Sequence, residues 1–377
     1  MSRGLLVLTN SEGELACVMA HEITHAALRH AAGRQTYSEQ LNPFSLGIPR
    51  MASIAAYARD QERAADTGGQ RICAAAGYDP RALGVFLQSL DKIERLQMGS
   101  SRIPTFLDTH PSSPERIAGA AISAAALGAP SDRDPRASRA SYLEHLEGLI
   151  LGTDPAEGVV QGSRFLHPDL DITVSFPSGW TVSNTPAAVV AISPKGDARF
   201  ALEDAGPGVD PEAVARAYLA RRLLEVRAQV DFAEPQQTRC CKTFVVRGKV
   251  ATPQGEIAGQ LTWVGLGRRV YRLSAASAPI AASKYAERAA QMVRSLRPLT
   301  AEERASIMVD RLQLAAALPG ETIAEFSART NNVYDVHRTA IANDLEVGAR
   351  LESGQLLKIG VRSPYREALD GAASDGL

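Results

Sequence analysis

Little in this sequence suits a membrane span, a nucleic-acid surface or a disulfide-stapled fold. Aromatic residues make up 5% of its 377 positions, and no apolar run approaches the ~20 residues of a membrane helix. The formal net charge of −1 argues against nucleic acid or an anionic membrane surface as partner. The cysteines Cys17, Cys73, Cys240 and Cys241 are too sparse for a disulfide framework, and the adjacent pair is poorly placed for an ordinary bridge. They leave the redox compartment open. Familiar catalytic signatures are missing too: there is no G-x-S-x-G elbow, no phosphate-binding glycine loop and no Cys-x-x-Cys pair. The length predicts two or three domains.

What is present begins almost at once. His21-Glu22-Ile23-Thr24-His25 spells HExxH inside a predicted helix. Residues four apart share a helical face, so both imidazoles can hold one metal ion while Glu22 reaches its water. The helix is legible without the motif. Ser11 and Glu14 have capping-box spacing, and Leu15, Val18, Met19 and Ile23 recur at helical intervals. Cys17 lies one turn before His21. It reads as a small packing residue, because a thiolate ligand there would close the position that catalysis needs open. His30 is five residues beyond His25, roughly 500° of rotation at about 100° per residue on a continued helix, and so points away from the metal face.

A second motif, Gln61-Glu62-Arg63-Ala64-Ala65-Asp66, falls on an alanine-rich helix predicted over 52–76, with Gly77 as its stop. Two histidines and one carboxylate are a common catalytic zinc set, which makes Glu62 the candidate third ligand. Asp66, one turn on, is placed to accept the free N–H of a ligand histidine.

Three stretches together resemble the HtpX/BepA-like zinc metallopeptidases, relatives of the CAAX prenyl proteases. They are the run from Asn10 through HEITH to His30, the run from Gln61 to Ala82, and Thr109-His110-Pro111-Ser112-Ser113-Pro114-Glu115-Arg116-Ile117. Their order is that family's order, over roughly residues 1 to 120. The resemblance implies a mainly α zincin-type domain over 1–152, one zinc per chain on His21, His25 and Glu62, and Asp66 behind them. It also draws in two residues that no spacing rule selects. His110 would polarise the substrate carbonyl or occupy the open coordination site at rest, and Arg116 would clamp a carboxylate or the oxyanion. An upstream strand and helix normally open the family's domain, so an internal start is expected here, with an export signal lost along with that N-terminus.

Beyond Asp154-Pro155 the periodicity changes from helical to alternating. A helical piece, 141–150, precedes this change. Strands are predicted at 171–176, 188–193, 199–204, 243–250, 255–267 and 270–275, flanked by helices at 210–230 and 281–296. This describes an antiparallel α+β sandwich over 160–298. Phe176-Pro177-Ser178-Gly179-Trp180 resembles the entry strand of PsbP-like domains. His167 and Trp263 read as turn and core residues. The last part, 301–363, is predicted to start with a helix over 301–318. Pro319-Gly320-Glu321-Thr322 and Leu351-Glu352-Ser353-Gly354-Gln355-Leu356-Leu357-Lys358-Ile359 then resemble the ends of a LysM module, a small βααβ fold. Residues 364–377 read as a disordered tail.

Two functions follow. The first is a zinc endopeptidase of the bacterial periplasm or envelope, acting on envelope or misfolded proteins with Glu22 as general base. The second is a non-catalytic binding protein on envelope polymers, peptidoglycan among them through the LysM-like part, carrying a crippled protease domain.

Overall fold

The computed structural model describes residues 3–33, 48–97, 110, 112–128, 135–222, 228–238, 241–252 and 255–365. The chain divides into two compact units, one of Met1–Gly152 with Asp310–Ser363, the other of Thr153–Val309 with Pro364–Leu377. The LysM-like segment, expected as a module of its own, thus falls mostly within the unit that carries HExxH.

In the first unit the helices are α1 (Arg3–Leu8), α2 (Glu12–Ala27), α3 (Ile48–Ala75), α4 (Arg81–Gln97), α5 (Pro114–Leu127) and α6 (Pro135–Glu144). α2 starts where its cap dictates. Ser11 is extended and its hydroxyl accepts from the Glu14 amide, while the Glu14 carboxylate accepts from the Asn10 amide. α5 repeats the device with Ser113 as cap and Pro114 in the first turn. α6 replaces the helix predicted over 141–150, and Ile150–Leu151 instead forms the short strand β1.

α2 and α3 lie against each other in opposite directions, and glycine permits their close approach. A Cβ on Gly69 would meet the Cα and N of His21 at 2.8 Å, and one on Gly68 would meet the Thr24 methyl at 2.6 Å. Cys17 and Cys73 join the same two helices by a disulfide. This corrects the reading of Cys17 as a packing residue alone. Cys241 is also disulfide-bonded, and Cys240 lies outside the described residues.

The second unit is built on a seven-stranded sheet of order β5-β6-β7-β11-β10-β9-β8 and a three-stranded sheet, β2-β3-β4. Its strands are β2 (Val159–Gln161), β3 (Arg164–His167), β4 (Ile172–Ser175), β5 (Thr181–Asn184), β6 (Val189–Ile192), β7 (Ala198–Pro207), β8 (Ala228–Gln237), β9 (Lys242–Thr252), β10 (Gly255–Leu266) and β11 (Arg269–Ser277). Helix α7 (Pro211–Arg222) packs near Phe244, Trp263 and Val270, while α8 (Ala282–Ser295) packs near Phe200, Leu202, Tyr271 and Leu273. Those two sets alternate along β11, so the sheet buries both faces. Trp263 is fully buried, and His167 Nδ1 accepts from the Leu170 amide in a turn. The helix predicted over 210–230 is shorter, since Ala228 onward pairs with β9.

The helix predicted over 301–318 is also corrected. Only α9 (Ala301–Ala305) is helical, capped by Thr300 and Glu303, and Met308–Ala316 forms β12. A ladder decides this against local alanine content, because β12 sits between β1 and β13 (Leu356–Pro364) in one sheet. Between β12 and β13 run α10 (Ile323–Arg329) and α11 (Val336–Ala342), giving a strand–helix–helix–strand order. Of the tail, 366–377 lies outside the described residues.

The close crossing gives a test with an unusual sign. Gly→Ala within a helix ordinarily stabilises by up to about 1 kcal/mol. Gly69→Ala should instead lower the melting temperature, since overpacking costs ~1–3 kcal/mol. Calorimetry showing a higher melting temperature would contradict the crossing.

Candidate metal centre

The helix pair presents its ligand atoms at one point. His21 Nε2 and His25 Nε2 are 3.0 Å apart, Glu62 Oε2 is 3.6 Å from the first and Glu62 Oε1 is 3.4 Å from the second. His110 joins them from the loop before α5, its Nδ1 lying 3.1 Å from Glu62 Oε2 and 3.5 Å from His21 Nε2. One ligand atom from each of these four residues lies within 4.8 Å of all the others. Thr109 and Pro111, which flank His110 in the motif, lie outside the described residues.

Behind each ligand histidine stands an orienting group. His21 Nδ1 is 3.0 Å from Asp66 Oδ1, one turn beyond Glu62 on α3. His25 Nδ1 is 2.8 Å from His30 Nδ1. The expectation that His30 points away is therefore corrected. It assumed a continuous helix, but α2 ends at Ala27 and Arg29 turns the chain with φ of 53°. The His30 carbonyl is held in turn by the Gln61 side-chain amide. Both Nδ1 atoms lie against these neighbours, and both Nε2 atoms face the candidate metal position.

Arg116 departs most from the sequence reading. Its side chain is only 7% exposed, and its Nε and Nη2 donate to both oxygens of Asp66 at 2.8 and 2.7 Å. Nη1 lies 3.1 Å from Glu62 Oε2. The guanidinium expected to clamp a carboxylate or the oxyanion thus meets the Asp66 and Glu62 carboxylates of the protein itself. Glu22 is less enclosed than Glu62 or Asp66: its side chain is 40% exposed, while its Oε1, 3.6 Å from His110 Nε2, is buried.

The electrostatics suit a cation. Glu22, Glu62 and Asp66 against Arg116 are three carboxylates against one guanidinium, two negative charges in excess with neutral imidazoles. Burial alone would raise the Glu62 carboxyl, but hydrogen bonding from His110 and His21 holds it well below the usual range. Asp66 is likewise lowered against its burial, chiefly by Arg116. Burial and the neighbouring His21 push His25 down to about 4, keeping it in the neutral form a metal requires. For His21, burial works downward but Asp66 and Glu62 prevail and raise it. Glu62 Oε1 is buried and accepts no hydrogen bond, as befits a ligand atom.

Residues 1–123 match peptidase family M48. The "Beta-barrel assembly-enhancing protease" of Yersinia pestis is 32% identical over 136 residues, 30% of this chain and 27% of that protein. The "Mitochondrial metalloendopeptidase OMA1" of Arabidopsis thaliana is 31% identical over 125 residues, 30% of this chain and 25% of that protein. The chain thus spans about a quarter of the length of these curated relatives. Among solved structures, cyanobacterial PsbP from Synechocystis sp. PCC 6803 aligns with 40% of this chain and 99% of its own, at 12% identity and a TM-score of 0.31. The residues matched to peptidase family M48, 1–123, include every residue of the cluster.

The role of Arg116 is testable. Arg116→Met leaves Asp66 and Glu62 buried without their cation, so zinc affinity should fall by roughly 10–100-fold, the usual cost of losing an orienting partner. A competition titration showing unchanged affinity in folded protein would return Arg116 to a role outside the centre.

Proposed function

We propose that this protein is a zinc-dependent endopeptidase, with one zinc per chain on His21, His25 and Glu62. The convergence of these ligands with His110, beside a partly exposed Glu22, carries the reading. The donor set fits zinc: two imidazoles and a carboxylate, each supported from behind, with a fourth position to spare.

Zinc bound there would polarise the scissile carbonyl and bring the pKa of its water toward neutrality. Glu22 takes the proton of the attacking water and returns it to the leaving amine, so the peptide bond breaks with no net change in the protein. Asp66 and His30 hold the ligand rings in their tautomers, and Arg116 fixes both carboxylates. His110, in van der Waals reach of both His21 and Glu22, stands where a donor to the developing oxyanion or a resting occupant of the open position belongs.

The substrates we infer are proteins or peptides of the bacterial envelope, misfolded ones included. The relatives' names divide between bacterial and mitochondrial proteases, so location is part of this proposal. The Cys17–Cys73 disulfide favours an oxidising compartment such as the periplasm. No helix among the described residues is long and apolar enough to cross a membrane. The alternative of a non-catalytic peptidoglycan-binding protein has no observation of its own in support.

Glu22→Gln should keep its zinc and lose peptide hydrolysis by several orders of magnitude, because an amide accepts no proton from water. Wild-type turnover of casein by that variant would remove Glu22 as the base. His110→Ala separates the two roles of that ring. A lost oxyanion donor costs ~2.7–4 kcal/mol in turnover with zinc affinity kept. A lost resting occupant raises basal proteolysis.

A further inference from the structure

Lys358 is the least expected residue of the first unit. It lies on β13, where Leu357 and Ile359 point into the small core formed with Ile323, Phe326 and Leu351. Alternation turns Lys358 to the opposite side, where a solvent-facing lysine would be ordinary. Its exposure is instead 0%. The ammonium donates to the Val7 carbonyl at 2.6 Å and the Thr9 carbonyl at 2.7 Å, at the corner where α1 ends and α2 is about to begin. Its own backbone is gripped on both sides by the Asn343 side chain, at 2.7 and 2.9 Å.

Other contacts converge on that corner. Arg139 on α6 donates to the Leu356 carbonyl at 2.8 Å and to Asn10 Oδ1 at 3.3 Å, bridging β13 and the cap of α2. Tyr142 meets the Thr9 hydroxyl. Ile341 of α11 belongs to the same core as Cys17, Val18, Leu83 and Phe86. The charged groups facing Lys358 are Glu14 on α2, Arg139 on α6 and Asp344 after α11. Burial pushes the Lys358 ammonium down and the Glu14 carboxyl up, and each opposes the other's shift. A buried lysine is costly unless it is hydrogen-bonded and its charge is met, and here two carbonyls accept from the ammonium while Glu14 acts on it electrostatically.

We propose that Lys358 is a positioning residue for the metal helix, so that Asp310–Ser363 works as part of the peptidase unit. By tying the carbonyls of Val7 and Thr9 and facing Glu14, which lies seven residues before His21 on the same helical face, it fixes the start of α2. The proposal deepens the zinc-peptidase reading and rests on it for its consequence.

Lys358→Met in the full chain tests this by zinc competition titration and by hydrogen–deuterium exchange on metal-free protein. Zinc affinity should fall ~10-fold, at the low end for a group behind the ligands. Amides of Glu14–Met19 should exchange faster while those of β9–β11 keep their protection. Adding Glu14→Gln should recover most of both effects, because the buried carboxylate no longer lacks its counter-charge. Wild-type zinc affinity and unchanged α2 exchange in folded Lys358→Met would overturn the proposal. So would faster exchange throughout the unit with no recovery by Glu14→Gln, the signature of a general stabiliser. If the wild-type chain binds no zinc, the peptidase reading fails, and α2 exchange alone decides for or against Lys358. Should Lys358→Met not fold, Arg139→Met reads the same corner: faster α2 exchange supports the assignment and unchanged exchange overturns it.

Discussion

The distance between α2 and α3 controls the rest of the first unit. His21 and His25 sit on one helix and Glu62 and Asp66 on the other, so ligand geometry is a property of the crossing. Gly68 and Gly69 remove the side chains that would hold the helices apart, and Cys17–Cys73 joins them one turn from His21. A disulfide of this span constrains the unfolded chain by about 4 kcal/mol in the loop-entropy account. The crossing is thus set by absent bulk at its centre and a covalent tie at its end.

Electrostatics then demands compensation. Bringing two carboxylates to one buried place is unfavourable unless positive charge meets them. Arg116 supplies part, bidentate on Asp66 and reaching Glu62, while hydrogen bonds from the imidazoles supply more. The remaining negative charge is what a divalent cation would neutralise. Among the described residues Glu22 makes no ion pair with Arg116 and keeps a partly exposed carboxylate beside the cluster. A group locked by a guanidinium would be a poor base.

Local rules carried the metal-bearing helix: Ser11 caps as its spacing to Glu14 implies, and the i, i+4 histidines share a face. Non-local constraints were less legible. The pairing of Cys17 with Cys73 depends on a helix crossing that no spacing encodes. His30 was missed because one left-handed residue, Arg29, re-aims the chain after α2. β12 was read as helix because its alanines and leucines favour one, and the ladder to β1 and β13 overrides that preference. Arg116 illustrates a further limit: sequence similarity marked the residue, but its partners decide its role. Gly68-Gly69 was the one overlooked local signal, since two glycines inside a helix cost stability unless something approaches closely.

The central claim is that His21, His25 and Glu62 hold one zinc ion. Anomalous diffraction collected above and below the zinc edge, on crystals of metal-replete protein, tests it most directly. The account predicts a single peak per chain among these three side chains, with ligand distances of ~2.0–2.2 Å. A map from such crystals with no peak there, while the three side chains are ordered, would contradict it.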